Sequence, residues 1–166
     1  MESKIATEKI TTNLWFNTNA EEAVNFYLSV FKNSKKGKTM LYGTEGKEIH
    51  GMDAGTVLTI DFELEGRGFV ALNGGPYFTF NEAVSFIVNC DTQEELDYYW
   101  DALKEGGDPK ALQCGWLKDK FGVSWQIVPA VMQGLLGDGT VSNKVMAALL
   151  KMKKIDIKAL QQAANS

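Results

Sequence analysis

The chain has 166 residues, 17 Lys and Arg against 21 Asp and Glu, a net charge of −4 and 45% hydrophobic residues; this is material for one folded domain and excludes a low-complexity or disordered polymer. Arg67 is the single arginine, so bidentate phosphate recognition has one donor of that type, nucleic acid is not expected as a partner, and the Lys35/Lys36/Lys38 and Lys151/Lys153/Lys154/Lys158 clusters read as solvated surface. No apolar run approaches the ~20 residues that span a bilayer, Met1 to Lys4 lead into no signal-type apolar core, and Cys90 and Cys114 form no CxxC spacing, so a cytoplasmic protein with reduced thiols and no membrane contact is expected.

Ile10 to Asn17 reads as a strand, dense in Leu14, Trp15 and Phe16. Asn19 with Glu22 three residues on has the form of a capping box, and Ala20, Ala23, Val24, Tyr27, Leu28 and Phe31 then recur at helical steps on one stripe. Strand signals follow over Thr39 to Gly43, Thr56 to Glu65 and Gly68 to Asn73, with a turn at Gly66-Arg67-Gly68. The pattern then repeats. Ala83 to Cys90 is an apolar strand, Thr92 and Glu95 form a second capping box, and Leu96, Tyr99, Trp100 and Leu103 make a second stripe that ends at Gly106-Gly107. Asn19 and Thr92 stand 73 positions apart, and the same offset sets Thr12 on Ser85 and Tyr27 on Trp100, which marks an internal repeat. Strands are expected over Ala111 to Lys118 and Val123 to Val128, joined by Asp119-Lys120-Phe121-Gly122. Beyond Pro129, helical spacing returns over Val131 to Leu136, Val141 to Met152 and Ile157 to Ala163. The expected class is α+β, a single domain over residues 1–166: module one at about 9–75, module two at about 82–129, and a helical tail over 130–166.

A duplicated β-α-β-β-β unit resembles the vicinal oxygen chelate superfamily, which includes glyoxalase I, bleomycin resistance proteins and extradiol dioxygenases. Narrower motifs resemble its PhnB-like branch: Ala71-Leu72-Asn73-Gly74-Gly75-Pro76, Phe80-Asn81-Glu82-Ala83-Val84-Ser85-Phe86, Cys114-Gly115-Trp116-Leu117-Lys118-Asp119, and Phe121 to Pro129. The resemblance implies two modules forming a cupped mixed sheet, commonly paired in a homodimer. The branch often carries the label of a 3-demethylubiquinone 3-methyltransferase domain, which implies an S-adenosylmethionine site. The residues do not support that site: no glycine-rich turn joins a first strand to a helix, and no acidic residue ends the next strand.

In metal-dependent members of the superfamily, one His or Glu from each of four strands faces the cup. The resemblance puts Gln126 at one such position through the Asp119-to-Gly122 turn, Thr12 and Ser85 at two others, and the fourth at Ala71, or at Leu72 or Asn73 if the register slips. These residues supply neither imidazole nor carboxylate, so no metal and no cofactor are expected. A cup of neutral hydrogen-bonding groups among aromatics suits a small organic ligand. Thr12, Asn73, Ser85 and Gln126 are the expected polar points, and Leu14, Phe16, Phe78, Phe80, Trp116 and Trp125 the candidate walls, each with the alternative of lying in the core beneath the sheet. The first reading is a metal-free dimer that binds a small organic molecule. An imported cation completing a lyase, isomerase or dioxygenase-like site is the alternative, and a partner-binding role for the C-terminal helices is a third.

Other residues read as structural. His50 belongs to a polar loop, and Cys90 and Cys114 to packed, inert positions. Asp61, Glu63 and Glu65 alternate along one strand and mark a wet sheet face opposite Phe62 and Leu64. Asn73-Gly74-Gly75-Pro76 has the makings of a backbone anion nest beside Arg67, or simply of a rigid turn.

Overall fold

A computed structural model of the chain describes residues 8–137 and 139–166. They fall into two units, divided after Thr79. The first runs β1 (Thr12–Phe16), α1 (Ala20–Val30), β2 (Ser34–Leu41), a single helical turn α2 (Lys47–His50), β3 (Val57–Leu64) and β4 (Arg67–Asn73). Its sheet has the order β1-β4-β3-β2, with β1 and β4 parallel and the other pairs antiparallel. Strand alternation sends Leu14, Phe16, Ile60, Phe62, Leu64, Phe69 and Ala71 to one buried face, where Tyr27 of α1 stacks on Phe62 at 6.3 Å.

The first helix is not capped as its sequence suggests. Asn19 sits at φ −111°, ψ 25°, outside the extended conformation an N-cap needs, and makes no side-chain cap bond. Asn73 supplies the acceptor instead: its Oδ1 takes the Ala20 N–H at 2.9 Å while its Nδ2 donates to the Val57 carbonyl at 3.1 Å. One buried amide thus ties the end of β4 to the start of α1 and the start of β3.

The second unit runs β5 (Ser85–Cys90), α3 (Gln93–Lys104), a 3-10 turn (Pro109–Ala111), β6 (Trp116–Lys118), β7 (Ser124–Pro129), α4 (Met132–Leu136), α5 (Gly139–Leu149) and α6 (Ile157–Ala164). Its sheet order is β5-β7-β6, with β5 and β7 parallel. Here the N-cap half of the capping box forms, Thr92 Oγ1 accepting the Glu95 N–H at 3.2 Å, while Glu95 reaches one residue past the cap to the Asp91 N–H at 2.7 Å. The strand expected from Ala111 is shorter. Pro109 opens a 3-10 turn, and Cys114 and Gly115 take φ of +51° and +85°, so the extended conformation begins only at Trp116.

The C-terminal helices are part of this unit. Cys114 and Gly115 donate to the carbonyls of Met152 and Lys153 at 2.9 and 2.8 Å. Gln93 of α3 donates to the Ile155 carbonyl and accepts the Ile157 N–H, and Val145, Leu149, Ile155 and Leu160 are buried. No helix of the described residues is long and apolar enough to cross a membrane.

The repeat has a one-residue irregularity that decides which side chains share a face. The helices repeat at 73 positions, Ala20 on Gln93, but three residues join β1 to α1 and two join β5 to α3. The strands therefore repeat at 74, with Phe16 matched by Cys90 at the last pair of each ladder. A shift of one residue turns a strand's side chains over.

Candidate functional site

In the first unit the face away from α1 carries Asn13 and Trp15 of β1, Val70 and Leu72 of β4, and Thr59, Asp61 and Glu63 of β3. Glu63 pairs with Lys35 at 3.2 Å. Trp15 is fixed there: its Nε1 donates to the Gly75 carbonyl at 2.9 Å and Phe78 packs edge-on at 4.8 Å between ring centroids. Gly74 lies flat against the indole, where an added Cβ would fall 2.2 Å from a ring carbon. Thr59, in the same row as Leu72 and Trp15, has a buried hydroxyl with no hydrogen-bond partner.

In the second unit the face away from α3 carries Ser85 and Ile87 of β5, Ser124 and Gln126 of β7, and Trp116 and Lys118 of β6. Ladder pairing arranges them in two rows, Ser85-Ser124-Lys118 and Ile87-Gln126-Trp116. Gln126 Nε2 donates to Ser85 Oγ at 2.9 Å, and Lys118 pairs with Glu82 from the loop before β5. Ile87 is 57% exposed. Ser124, by contrast, is 2% exposed and its Oγ has no partner.

Of the ten residues singled out from sequence, the structure gathers Ser85, Trp116 and Gln126 on one open face. Thr12, Leu14 and Phe16 lie on the face that α1 covers, the last two in the core, because the strand offset is 74 and not 73. Ala71 is buried beneath α1 for the same reason. Asn73 is the cap of α1, and Trp125 is a core residue whose Nε1 donates to Asp119 Oδ2 at 2.8 Å. Phe78 is exposed beside Trp15; Phe80 is half-buried beside Gly122. Trp15, Thr59, Lys118 and Ser124 escaped the sequence reading, although strand alternation from Gln126 passes through Ser124.

The residues read as structural keep local partners. His50 accepts the Met52 N–H on Nδ1 at 3.0 Å and packs on Tyr42 at 4.5 Å. Burial, with the charges of Glu95 and Asp91, pushes the Cys90 thiol up to about 12, so it stays protonated at neutral pH. The Gly74 and Gly75 amides donate to the Phe16 and Asn17 carbonyls, and Arg67 stands at the opposite end of β4, so the anion nest is already filled by the backbone. A groove of about 730 Å³ between the start of α3 and the tail is lined by Asp91, Gln93, Asp97, Lys154, Ile157 and Gln161, but its Lys154 and Asp97 pair with each other at 2.8 Å.

The donor chemistry of the open faces decides whether a chelated metal fits. Carrying the Ser85/Gln126 pair back to the first unit by strand position reaches Thr11 and Val70, with Asn13 and Leu72 next along that face. None of these six side chains is an imidazole, thiolate or carboxylate, and among the described residues no three His, Cys, Asp or Glu side chains converge. This set does not fit a transition-metal site of the glyoxalase kind.

Tandem strand-helix-strand units, each closing a mixed sheet, are consistent with the glyoxalase-type, vicinal oxygen chelate fold. Within it, the chain belongs to the 3-demethylubiquinone-9 3-methyltransferase-like (PhnB) family, whose model matches residues 8–128. It is 38% identical to a Bacillus cereus PhnB protein described as a 3-demethylubiquinone-9 3-methyltransferase, over 74% of this chain and 100% of that one, with a TM-score of 0.62. A Pseudomonas aeruginosa protein shares the fold at 22% identity and a TM-score of 0.54, over 74% of this chain and 96% of that one. No curated protein matches the chain.

Proposed function

We propose that the protein binds a small organic molecule on the helix-free faces of its sheets, without a metal ion and as a cytoplasmic homodimer. The observation that carries this reading is the pair of buried, unpartnered hydroxyls, Thr59 Oγ1 and Ser124 Oγ, one on the open face of each unit. A buried hydroxyl without a partner costs about 1–3 kcal/mol, and a ligand atom is a natural partner for it. Each lies among groups suited to a ligand with an apolar body: Trp15 and Leu72 beside Thr59, Gln126, Trp116 and Ile87 beside Ser124. The dimer is supported by exposed apolar side chains at Tyr77, Phe78, Val84 and Ile87.

The methyltransferase named by the family would need a seat for S-adenosylmethionine. The connection from β1 to α1, Asn17-Thr18-Asn19, and that from β5 to α3, Asp91-Thr92, contain no glycine, and neither sheet is a doubly wound parallel one. These residues do not fit that cofactor.

Hydroxyls kept for a ligand are dispensable for folding. Ser124→Ala and Thr59→Val are therefore expected to leave stability unchanged or raise it by up to about 1 kcal/mol in urea unfolding, since each removes an unsatisfied polar group. A loss above about 2 kcal/mol in both would mean that these hydroxyls are satisfied in the folded protein, and the reading would lose its main support.

A further inference from the structure

The second unit's open face carries a feature more specific than a neutral polar surface. We propose that Lys118, Ser124 and Ser85 form a recognition point for the carboxylate of the bound small molecule, and that Glu82 of the same chain holds the point closed until the ligand displaces it; this assignment rests on the small-molecule reading of the same face.

Lys118 is the one charged side chain in β5, β6 and β7. It stands directly opposite Ser124 in the antiparallel ladder, and Ser124 stands opposite Ser85 in the parallel one. Directly opposed side chains have Cβ atoms about 4.5–5.5 Å apart, so Lys118 and the two serines form one row of side chains across three adjacent strands. Ser85 already accepts from Gln126, which leaves its own hydroxyl hydrogen free to donate to a second acceptor. The Ser124 hydroxyl has no hydrogen-bond partner. The hydroxyl hydrogens of Ser85 and Ser124 thus lack an acceptor, which a carboxylate oxygen would supply.

The structure also shows what chemistry the lysine accepts. Its partner is the carboxylate of Glu82, whose side chain is 60% exposed on an irregular loop while that of Lys118 is only 23% exposed. The Lys118 hydrogen bond, a backbone hydrogen bond and the lysine charge hold the Glu82 carboxyl below its ordinary range, so Glu82 is a carboxylate throughout the neutral region. Exchanging this carboxylate for a ligand's leaves the local charge unchanged. It also gives the two serines an acceptor. One row further along the strands, about 6.5–7 Å away, lie Ile87, Gln126 and Trp116. That separation matches the span from a carboxylate to the far side of one aromatic ring, and Trp116 supplies an aromatic side chain in that row.

The test is an NMR titration of the full-length protein with benzoate and with its neutral isostere benzamide, following the Gln126 side-chain amide and the Trp116 indole N–H. Benzoate is expected to shift both signals, to bind at least about tenfold more weakly to Lys118→Met, and to bind about threefold or more tightly to Glu82→Gln, which removes the competing charge. The second variant keeps the test intact should the first fold poorly. Equal binding of benzamide and benzoate, unaffected by either substitution, would overturn the carboxylate assignment and leave the small-molecule reading standing. Failure of both compounds to move either signal would overturn the two together.

Discussion

Asp119→Ala is expected to lower stability by about 3–5 kcal/mol, because it strips the acceptor from three donors at once. Asp119 is 2% exposed. Its Oδ1 accepts the N–H groups of Phe121 and Val123 at 2.9 and 3.0 Å, and its Oδ2 accepts the indole N–H of Trp125 at 2.8 Å. The turn closes further through Gly122 N–H to the Asp119 carbonyl, with Gly122 at φ +88°. Without the carboxylate, buried Val123 and Trp125 keep polar hydrogens that neither water nor protein satisfies. Thermal unfolding should shift down by roughly 10–20 °C. Asp119→Asn retains one acceptor oxygen for the backbone and turns a second donor toward Trp125, so it should cost roughly half as much. A loss under about 1 kcal/mol for the alanine variant would mean that the turn does not set the register of β7. That register carries the open face, since Ser124 and Gln126 follow directly on the turn.

The second large effect is expected at Gly115. Its φ of +85° strains any L side chain, and an added Cβ would lie 2.8 Å from the Ile127 carbonyl oxygen and 2.8 Å from Ile155 Cδ1. The backbone there has no slack: Gly115 donates to Lys153 in the tail and accepts the Ile127 N–H at 2.7 Å. Gly115→Ala should cost about 2–5 kcal/mol, the sum of left-handed strain and overpacking. Its loss should be local in origin. Hydrogen exchange should rise first in residues 149–160 and in β6, where the tail docks, and later in α3. Uniform loss of protection, or none, would contradict the tail's role as part of this unit's core. Cys114 beside it is also left-handed, and its Sγ donates to the Leu149 carbonyl at 3.4 Å, so the two residues form one anchoring corner.

The main helices and most strands were legible from the sequence because each carries its signal locally, whereas β2 starts at Ser34, ahead of the Thr39 to Gly43 stretch expected, and the turn at Lys47–His50 was not anticipated. The stripe Leu96, Tyr99, Trp100 and Leu103 repeats at helical steps, and Thr92 and Glu95 cap it from three residues away. What was not legible depended on distant partners. Asn19 has the right residue type for a cap, yet Asn73, 53 positions beyond Ala20, occupies the first helix's N-terminus. No local pattern distinguishes those outcomes. The site suffered more from counting. A single missing residue between strand and helix in the second unit moves the strand offset from 73 to 74, and with it Thr12 and Ala71 pass to the covered face while Trp15 comes to the open one. Choosing between Trp116 and Trp125 needed the same register: Trp116 pairs opposite Gln126, and Trp125 turns inward to Asp119. Alternation from Gln126 places Ser124 on the same face, but a serine or threonine in a strand, Thr59 included, becomes informative only once its hydroxyl is seen to lack a partner.

The most direct measurement is native mass spectrometry of protein purified without chelator, with elemental analysis of the same sample. A dimer mass, no transition metal near stoichiometric amount, and a bound small organic molecule that leaves on mild activation are expected. Near-stoichiometric zinc, nickel, iron or manganese would contradict the metal-free reading, because among the described residues no three His, Cys, Asp or Glu side chains converge to hold such an ion.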